Sequence, residues 1–447
     1  MIGPTARPDP GYRGRMFRSQ RLVPWLLVGL AGCGRLGFAE QRVFTDDTQS
    51  KFDRGRYDAG TAPLAWRDDR VMLASAPFDP TSVGVYVSRP FDTGEDAVVW
   101  HTLAVTPSAP HGRPLPDRGD AEAGYAEDNV DMRDDILLLH LDGSSIADGA
   151  AVADSSSHEH HGEMTFVGQG ASFVPGAFGQ ALDIARDAYV TLDGNYFDFG
   201  TGDVTYAVWV KMFDCSESND NRIAIGGAGA GDSPHAWLGA LCPEPCPGGD
   251  GAYMNIYDAT RAGASVNACS GVRLDDGAWH HLASVKDGHT PATLRLYVDG
   301  REVGTTTFDY GAGQFTYDAG EIRLGSFNLD DPRYHTRIVV DEAAIWKRAL
   351  AATEVRALYL RGALRLELQV RVCPDGTCDT EPFVGPDGTS ATAFTDHQLG
   401  DTPASQRGNL AALALEAPVA QYRATFSTAS TAASPGLVRV TMEATSR

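Results

Sequence analysis

Positive charge is scarce in this sequence. Of 447 residues, 37 are lysine or arginine and 59 are aspartate or glutamate, which sets the formal charge at −22. Lysine is very rare, so arginine carries nearly all the cationic charge. A chain this acidic (pI about 4.8) is unsuited to general nucleic-acid binding, because a phosphate backbone requires a basic surface. Catalytic signatures are missing as well. There is no Gly-x-Ser-x-Gly and no phosphate-binding loop, and the sequence His158-Glu159-His160-His161 does not have the His-Glu-x-x-His spacing. The apolar run Leu22–Ala31 is ten residues long, well short of the roughly 20 that span a bilayer. What is present is 43% apolar residues with 49 glycines and 25 prolines. That excludes a disordered acidic polymer and points to a turn-rich β protein of two or three domains.

Arg18 and Arg21 precede the apolar run, and small residues follow it. This order is that of an export signal. Leu30-Ala31-Gly32-Cys33 resembles a bacterial lipobox, which implies lipidation of Cys33 and a signal peptide over 1–33; the alternative is ordinary secretion with cleavage near Gly32. Met16 is the better start, since it leaves the short basic segment Met-Phe-Arg-Ser-Gln-Arg ahead of the apolar run. Residue 34 is glycine rather than aspartate. By the same resemblance this favours an outer-membrane lipoprotein of the cell envelope, facing periplasm or surface. Five arginines and one aspartate would leave with 1–33, so the mature charge is −26. Such a surface repels anionic lipid, so the lipid alone would hold the protein at the membrane.

Six cysteines remain: Cys215, Cys242, Cys246, Cys269, Cys373 and Cys378. An even number in an exported chain reads as disulfides. Cys373 and Cys378 flank a short turn and are expected to pair. The other four allow three pairings, of which Cys215–Cys269 with Cys242–Cys246 is preferred. Zinc at Cys242-x3-Cys246 is the competing reading.

The stretch from Asp135 onward reads as antiparallel strands. Ile136–Leu141 is an apolar strand, and Val204–Val210 and Trp279–Val285 alternate with period 2, which predicts one buried face each. Leu294–Val298 runs into Asp299-Gly300, a type I′ hairpin signal. Val339–Trp346 completes the sheets, and Leu350, Val355, Leu358 and Tyr359 share one face of a short closing helix.

These phrases carry a resemblance. Asp154-Ser155-Ser156 with His161-Gly162, Pro175 to Leu182, Trp279 to Ala283, Leu296 to Gly300 and Asp341 to Trp346 resemble, in the right order, the laminin-G-like, concanavalin A-like jellyroll. The similarity covers 135–362 and implies an all-β sandwich of a kind that often binds glycans or proteins. Glycanases of that superfold carry Glu-x-Asp-x-x-Glu on a strand, where period-2 spacing puts the carboxylates on one face. That motif is missing, so the expectation is a non-catalytic protein. The resemblance also implies a structural calcium near the first and last strands, with Asp142 and Asp341 as its ligands; read from the residues alone, Asp142 opens an Asp-Gly turn and Asp341 orients a strand end. His158, His160 and His161 read as a solvated loop before a transition-metal site. Trp237, Tyr253, Tyr257 and Tyr334 are the candidate rings for stacking on sugar faces, with core or turn positions as the alternative.

The flanks read as one accessory sandwich, in parts 51–134 and 363–447, with the jellyroll inserted between them; two independent flanking domains are the alternative. Ser88 to Gly94 with Trp100, and later Leu368 to Arg371, Phe383 to Thr389 and Gln421 to Ser427, resemble the two halves of a β-sandwich repeat of bacterial surface proteins. Residues 34–50 read as a tether, 106–134 as a loop bridging the junction, and 399–410 as another loop. The function expected is a surface-anchored lipoprotein that recognises a polysaccharide or an envelope protein, touches the membrane only through its lipid, and binds no nucleic acid. The alternatives are a structural envelope protein without a soluble ligand and, third, a glycan-active enzyme.

Overall fold

The computed structural model describes residues 40–446 except 59, 97, 120–129, 186–187, 194–196, 198, 214–221, 229–234, 242–250, 259–263, 290, 310–320, 327–336 and 396–405. Cys33, Cys215, Cys242, Cys246 and Tyr334 therefore lie outside the described residues. Among the described residues no helix is long and apolar enough to cross a membrane.

Residues 135–346 form two eight-stranded antiparallel sheets packed face to face. In one, the strands run in the order Ala264–Cys269, Gly251–Asp258, His235–Leu241, Arg222–Ala228, Glu321–Leu324, Ala188–Asp193, Gly162–Phe166, Ala151–Val152. In the other, the order is Ala171–Pro175, Gln180–Ile184, Ile338–Trp346, Val204–Lys211, Trp279–Asp287, Ala292–Val298, Arg301–Phe308, with Asp135–Leu139 also paired to Ile338–Trp346. Alternation fills the space between them: Tyr206, Val208 and Val210 from the second sheet meet Ile225, Leu238 and Met254 from the first. Each such side chain contributes about 1.5–3 kcal/mol on burial.

Val204–Lys211 departs from the sequence expectation, because both of its faces are buried. Ala207 and Trp209 point away from the inter-sheet core and are covered by the helix Ala352–Ala363 and by Leu115, Val130 and Met132 of the crossing segment. Trp209 stacks on Tyr359 at 5.9 Å and meets the edge of Phe178 at 6.1 Å. A period-2 pattern registers only chemical contrast, and alanine and tryptophan on the second face give little of it.

Strands from both ends of the chain share two further sheets. One has the order Gln406–Asn409, Val98–Pro107, Gly436–Ser446, Arg70–Leu73, Leu64–Arg67; the other has Arg56–Asp58, Val83–Val87, Val419–Thr428, Leu364–Cys373. Tyr86, Phe91, Trp100, Leu368, Tyr422 and Phe426 fill the core between them. Two sequence expectations are corrected here. Residues 41–46, read as tether, form a strand paired with Gly436–Ser446, because Phe44 packs against Phe91 and Trp100 at 5.3 and 5.6 Å. Residues 406–409, read as loop, form a short strand on Val98–Pro107. Cys373 and Cys378 are bonded across the turn between them, and Cys269 is disulfide-bonded.

Candidate functional site

Ile338–Trp346 is buried at every position, yet carries two adjacent carboxylates, Asp341 and Glu342. A bulge accommodates them. The pairing with Val204–Lys211 slips between Ala207 and Trp209, and Glu342 sits in the left-handed region at φ +48°. For a residue with a β-carbon that is a strained conformation, of the sort that concentrates at functional places.

Each carboxylate is met by a different segment. Glu342 Oε2 accepts the Leu115 N–H at 3.0 Å, and Glu342 Oε1 meets His140 Nδ1; the other ring nitrogen of His140 meets Asp117 at 2.8 Å. Asp341 Oδ2 accepts the Phe178 N–H at 2.9 Å, from the turn 176–180. Asp142 reaches the same turn, its Oδ1 accepting the Gln180 N–H at 2.6 Å. The two aspartates singled out from the sequence thus converge on one turn. Glycine is required at 179, where φ is +47° and a β-carbon would meet Asp142 Oδ1 at 2.5 Å. Arg365 donates to the Ala177 carbonyl of that turn from the outer face of Leu364–Cys373.

Asp341 is fully buried, and its Oδ1 has no hydrogen-bond partner among the described residues. Burial, with Glu342 next to it, holds the Asp341 carboxyl well above the usual range. Beside it, three oxygens surround the place where a β-carbon of residue 176 would stand: Asp341 Oδ2 at 2.5 Å and the carbonyls of Phe178 and Gln180 at 2.5 and 2.6 Å. Asp341 Oδ1 without a donor, and Oδ2 grouped with two converging carbonyls, together offer the oxygen donors that a hard cation such as calcium takes. Arg365 supplies a competing positive charge at the same place. Glu342, His140 and Arg365 were not singled out from the sequence. The signal that could have found Glu342 was an adjacent acid pair inside an otherwise apolar strand.

The histidines of 158–161 serve their own loop. Asp154 accepts from the backbone of Leu138, Ser156 and His160, while His161 Nδ1 accepts the Asp154 N–H at 3.1 Å.

A second feature lies on the outer face of the first sheet. Register aligns Thr191, Arg323, Gly226, Trp237, Asn255 and Asn267 in one row across six strands. Trp237 and Tyr253 pack at 4.8 Å, with Ile223 and Leu241, in a cluster separate from the inter-sheet core. The Tyr253 hydroxyl donates to Asn267 Oδ1 at 2.5 Å, and Asn255 Nδ2 donates to the same oxygen. Trp237 is only 5% exposed; Tyr253 and Tyr257 are half-buried, and Asn267 is exposed. One of the rings chosen from the sequence, Trp237, therefore stands in this row with two asparagines, and a second, Tyr253, lies on the same face in the neighbouring row.

Comparison with known proteins agrees with this architecture. Residues 185–356 match the family model described as the concanavalin A-like lectin/glucanases superfamily. That match falls largely within the two-sheet antiparallel sandwich of residues 135–346. No curated protein matches the chain. Among solved structures, the binding domain of Paraclostridial Mosquitocidal Protein 1 is similar at 15% identity and a TM-score of 0.38, over 51% of this chain and 52% of that one. Domain 4 of AbnA, an extracellular arabinanase of Geobacillus stearothermophilus solved with arabinotriose, is 19% identical at a TM-score of 0.37, over 51% of this chain and 100% of that one. The botulinum neurotoxin serotype C1 binding domain is 10% identical at 0.39, over 53% and 57%. The chain thus spans about half the length of the two toxin domains.

Proposed function

We propose that this protein is a non-catalytic, lipid-anchored recognition protein of a bacterial cell envelope, and that its concanavalin A-like sandwich holds a polysaccharide on the outer face of its first sheet. One observation carries the reading. The outer face of the second sheet is buried under a helix and a crossing segment, whereas the outer face of the first sheet carries Trp237, Tyr253, Asn255 and Asn267, of which Tyr253 is half-buried and Asn267 exposed. Ring faces next to amide groups suit a sugar, which offers C–H surface and hydroxyls together. Calcium at Asp341 and the 176–180 turn has a structural part in this reading: it neutralises a buried carboxylate and fixes the turn. The missing Glu-x-Asp-x-x-Glu supports recognition over hydrolysis.

The test is a glycan array and polysaccharide from the organism's own envelope, probed once with calcium and once with EDTA. Binding that weakens tenfold or more in Tyr253→Ala and Asn255→Ala is the expected result. Binding that neither variant changes would remove the sheet face from the reading. No binding in any condition, together with self-association in light scattering, would favour the structural envelope role.

A further inference from the structure

A cleft of 380 Å³ with a mixed polar and apolar lining opens at the seam between the two-sheet sandwich of residues 135–346 and the flanking one. Its walls come from three places: the Asp299-Gly300 hairpin with Arg301 and Glu302, the helix Ala352–Ala363 through Arg356 and Tyr359, and the segment 429–432 of the flanking sandwich. We propose that this cleft binds an oligosaccharide that carries carboxylates, with Arg301 and Arg356 as the groups that recognise the acid. The site is distinct from the sheet face, and the proposal does not depend on that reading.

The walls are held before any ligand arrives. Asp299 and Gly300 are both left-handed, at φ +51° and +69°, as a type I′ turn requires. Asp299 is anchored through both carboxylate oxygens, Oδ1 accepting the His281 N–H at 3.0 Å and Oδ2 facing His280 Nδ1 at 2.9 Å. The Tyr359 hydroxyl donates to the Ala429 carbonyl at 3.1 Å, which ties the helix to the flanking sandwich. On the far side, the Thr428 hydroxyl donates to the Ala433 carbonyl at 2.9 Å and accepts the Ser430 N–H at 2.9 Å. A pre-formed cleft loses little entropy on binding, and 380 Å³ falls in the range of ligand sites, roughly 300–1,000 Å³.

The two arginines are the informative part. In a chain of charge −22, several guanidinium groups face a carboxylate, as Arg337 does Asp183, Arg348 Glu354 and Arg273 Asp275, while others, such as Arg365 and Arg371, are held by carbonyl or amide oxygens. Arg301 and Arg356 are exposed, line one cleft, and neither is paired with a carboxylate among the described residues. Asp299 cannot neutralise them well, since both of its oxygens already face donors. Guanidinium forks match a carboxylate bidentately.

The rest of the lining selects the kind of anion. Glu302 and Asp299 stand in the same cleft and would repel a compact, doubly charged phosphate. A sugar acid spreads one charge per ring among hydroxyls, which the exposed Glu302 and Thr431 can bond.

Calorimetry on the purified protein tests this with a short oligogalacturonate as probe, a neutral glucan oligomer of equal length as the uncharged comparison, and inorganic phosphate as competitor. Binding of the oligogalacturonate that weakens about tenfold or more in both Arg301→Ala and Arg356→Ala, and fades as salt rises, is expected. Ala432→Trp, which fills the cleft without altering its charge, should abolish binding, with the melting temperature of each variant reported alongside. Tyr253→Ala on the sheet face should leave this binding unchanged, so failure here and failure of the sheet-face reading are separable. The proposal is overturned by no binding of oligogalacturonate, by binding that all three cleft variants retain, by equally tight binding of the neutral oligomer, or by displacement with phosphate at the oligomer's own concentration.

Discussion

The Tyr422 hydroxyl donates to Asp46 Oδ2 at 3.0 Å across 376 residues of sequence. Both side chains are fully buried, and the bond joins the first strand of the flanking sandwich to the strand Val419–Thr428. Burial raises the Asp46 carboxyl above its usual range, against the opposing pull of Tyr422 and of Arg89 at 3.6 Å. Removing the hydroxyl leaves Asp46 Oδ2 without its donor. Tyr422→Phe should therefore cost about 1–3 kcal/mol, the penalty for an unsatisfied buried acceptor. Urea unfolding measures it, and a loss below about 0.5 kcal/mol, the scale of an ordinary surface substitution, would show that the bond does not matter.

His111 should set the acid limit of stability. It is fully buried in the segment that crosses between the sandwiches, where its Nε2 accepts the Gly436 N–H. Burial first, then the positive charges of Arg70 and Arg361, push it down to about 3. The folded value lies below the unfolded one, so the unfolded chain takes up the proton first as pH falls. The stability is complete above the unfolded value near 6.5 and declines between there and pH 3, by at most about 1.4 kcal/mol per pH unit. His281, pushed to about 4 by burial, acts in the same direction. His111→Asn should flatten the slope between pH 6 and 4 in denaturant titrations; an unchanged slope would mean that His111 charges freely in the folded protein.

Calcium should stabilise the wild-type protein through Asp341. The expected result is a melting temperature several degrees higher with millimolar calcium than with EDTA. In Asp341→Asn the calcium increment should vanish, and without calcium that variant should match or exceed the wild type, since a neutral amide replaces a carboxyl whose ionised form burial disfavours. A calcium increment that survives in the variant would place the ion elsewhere.

Gly362 sets how closely the helix Ala352–Ala363 lies on the second sheet. A β-carbon there would come within 2.5 Å of the Trp209 ring. Trp209 is itself packed on Tyr359 and Phe178, so it has no free direction of retreat. Gly362→Ala should cost about 1–3 kcal/mol by overpacking, despite alanine's better helix propensity. A neutral or stabilising effect in thermal melts would show that the helix can ride outward.

Much of the fold was legible in local pattern. The alternation of Leu364–Val372, the Asp299-Gly300 turn and the helical face of Val355, Leu358 and Tyr359 each depend on neighbours within a few residues, and the strands, hairpin and helix appear where those patterns stand. The edge strand 41–46 was missed because a single half-buried ring, Phe44, packed on Phe91 and Trp100, outweighs its mostly polar neighbours. In the candidate sites, Asp142 and Asp341 could be named one by one, but their shared turn could not be read. Nor could the seam cleft, whose arginines belong to a hairpin and a helix 55 residues apart.

By itself the sequence determined the all-β class, the acidic surface and the positions of turns, because side-chain alternation, net charge and glycine or proline are properties of single residues and near neighbours. Only the tertiary structure decided which face of each sheet is covered, that Glu342 sits strained in a bulge beside Asp341, and that Tyr422 closes on Asp46. These depend on burial and on pairs far apart in the chain. A carboxylate in a list of residues carries no mark of whether water, an arginine or nothing will face it once the chain has folded.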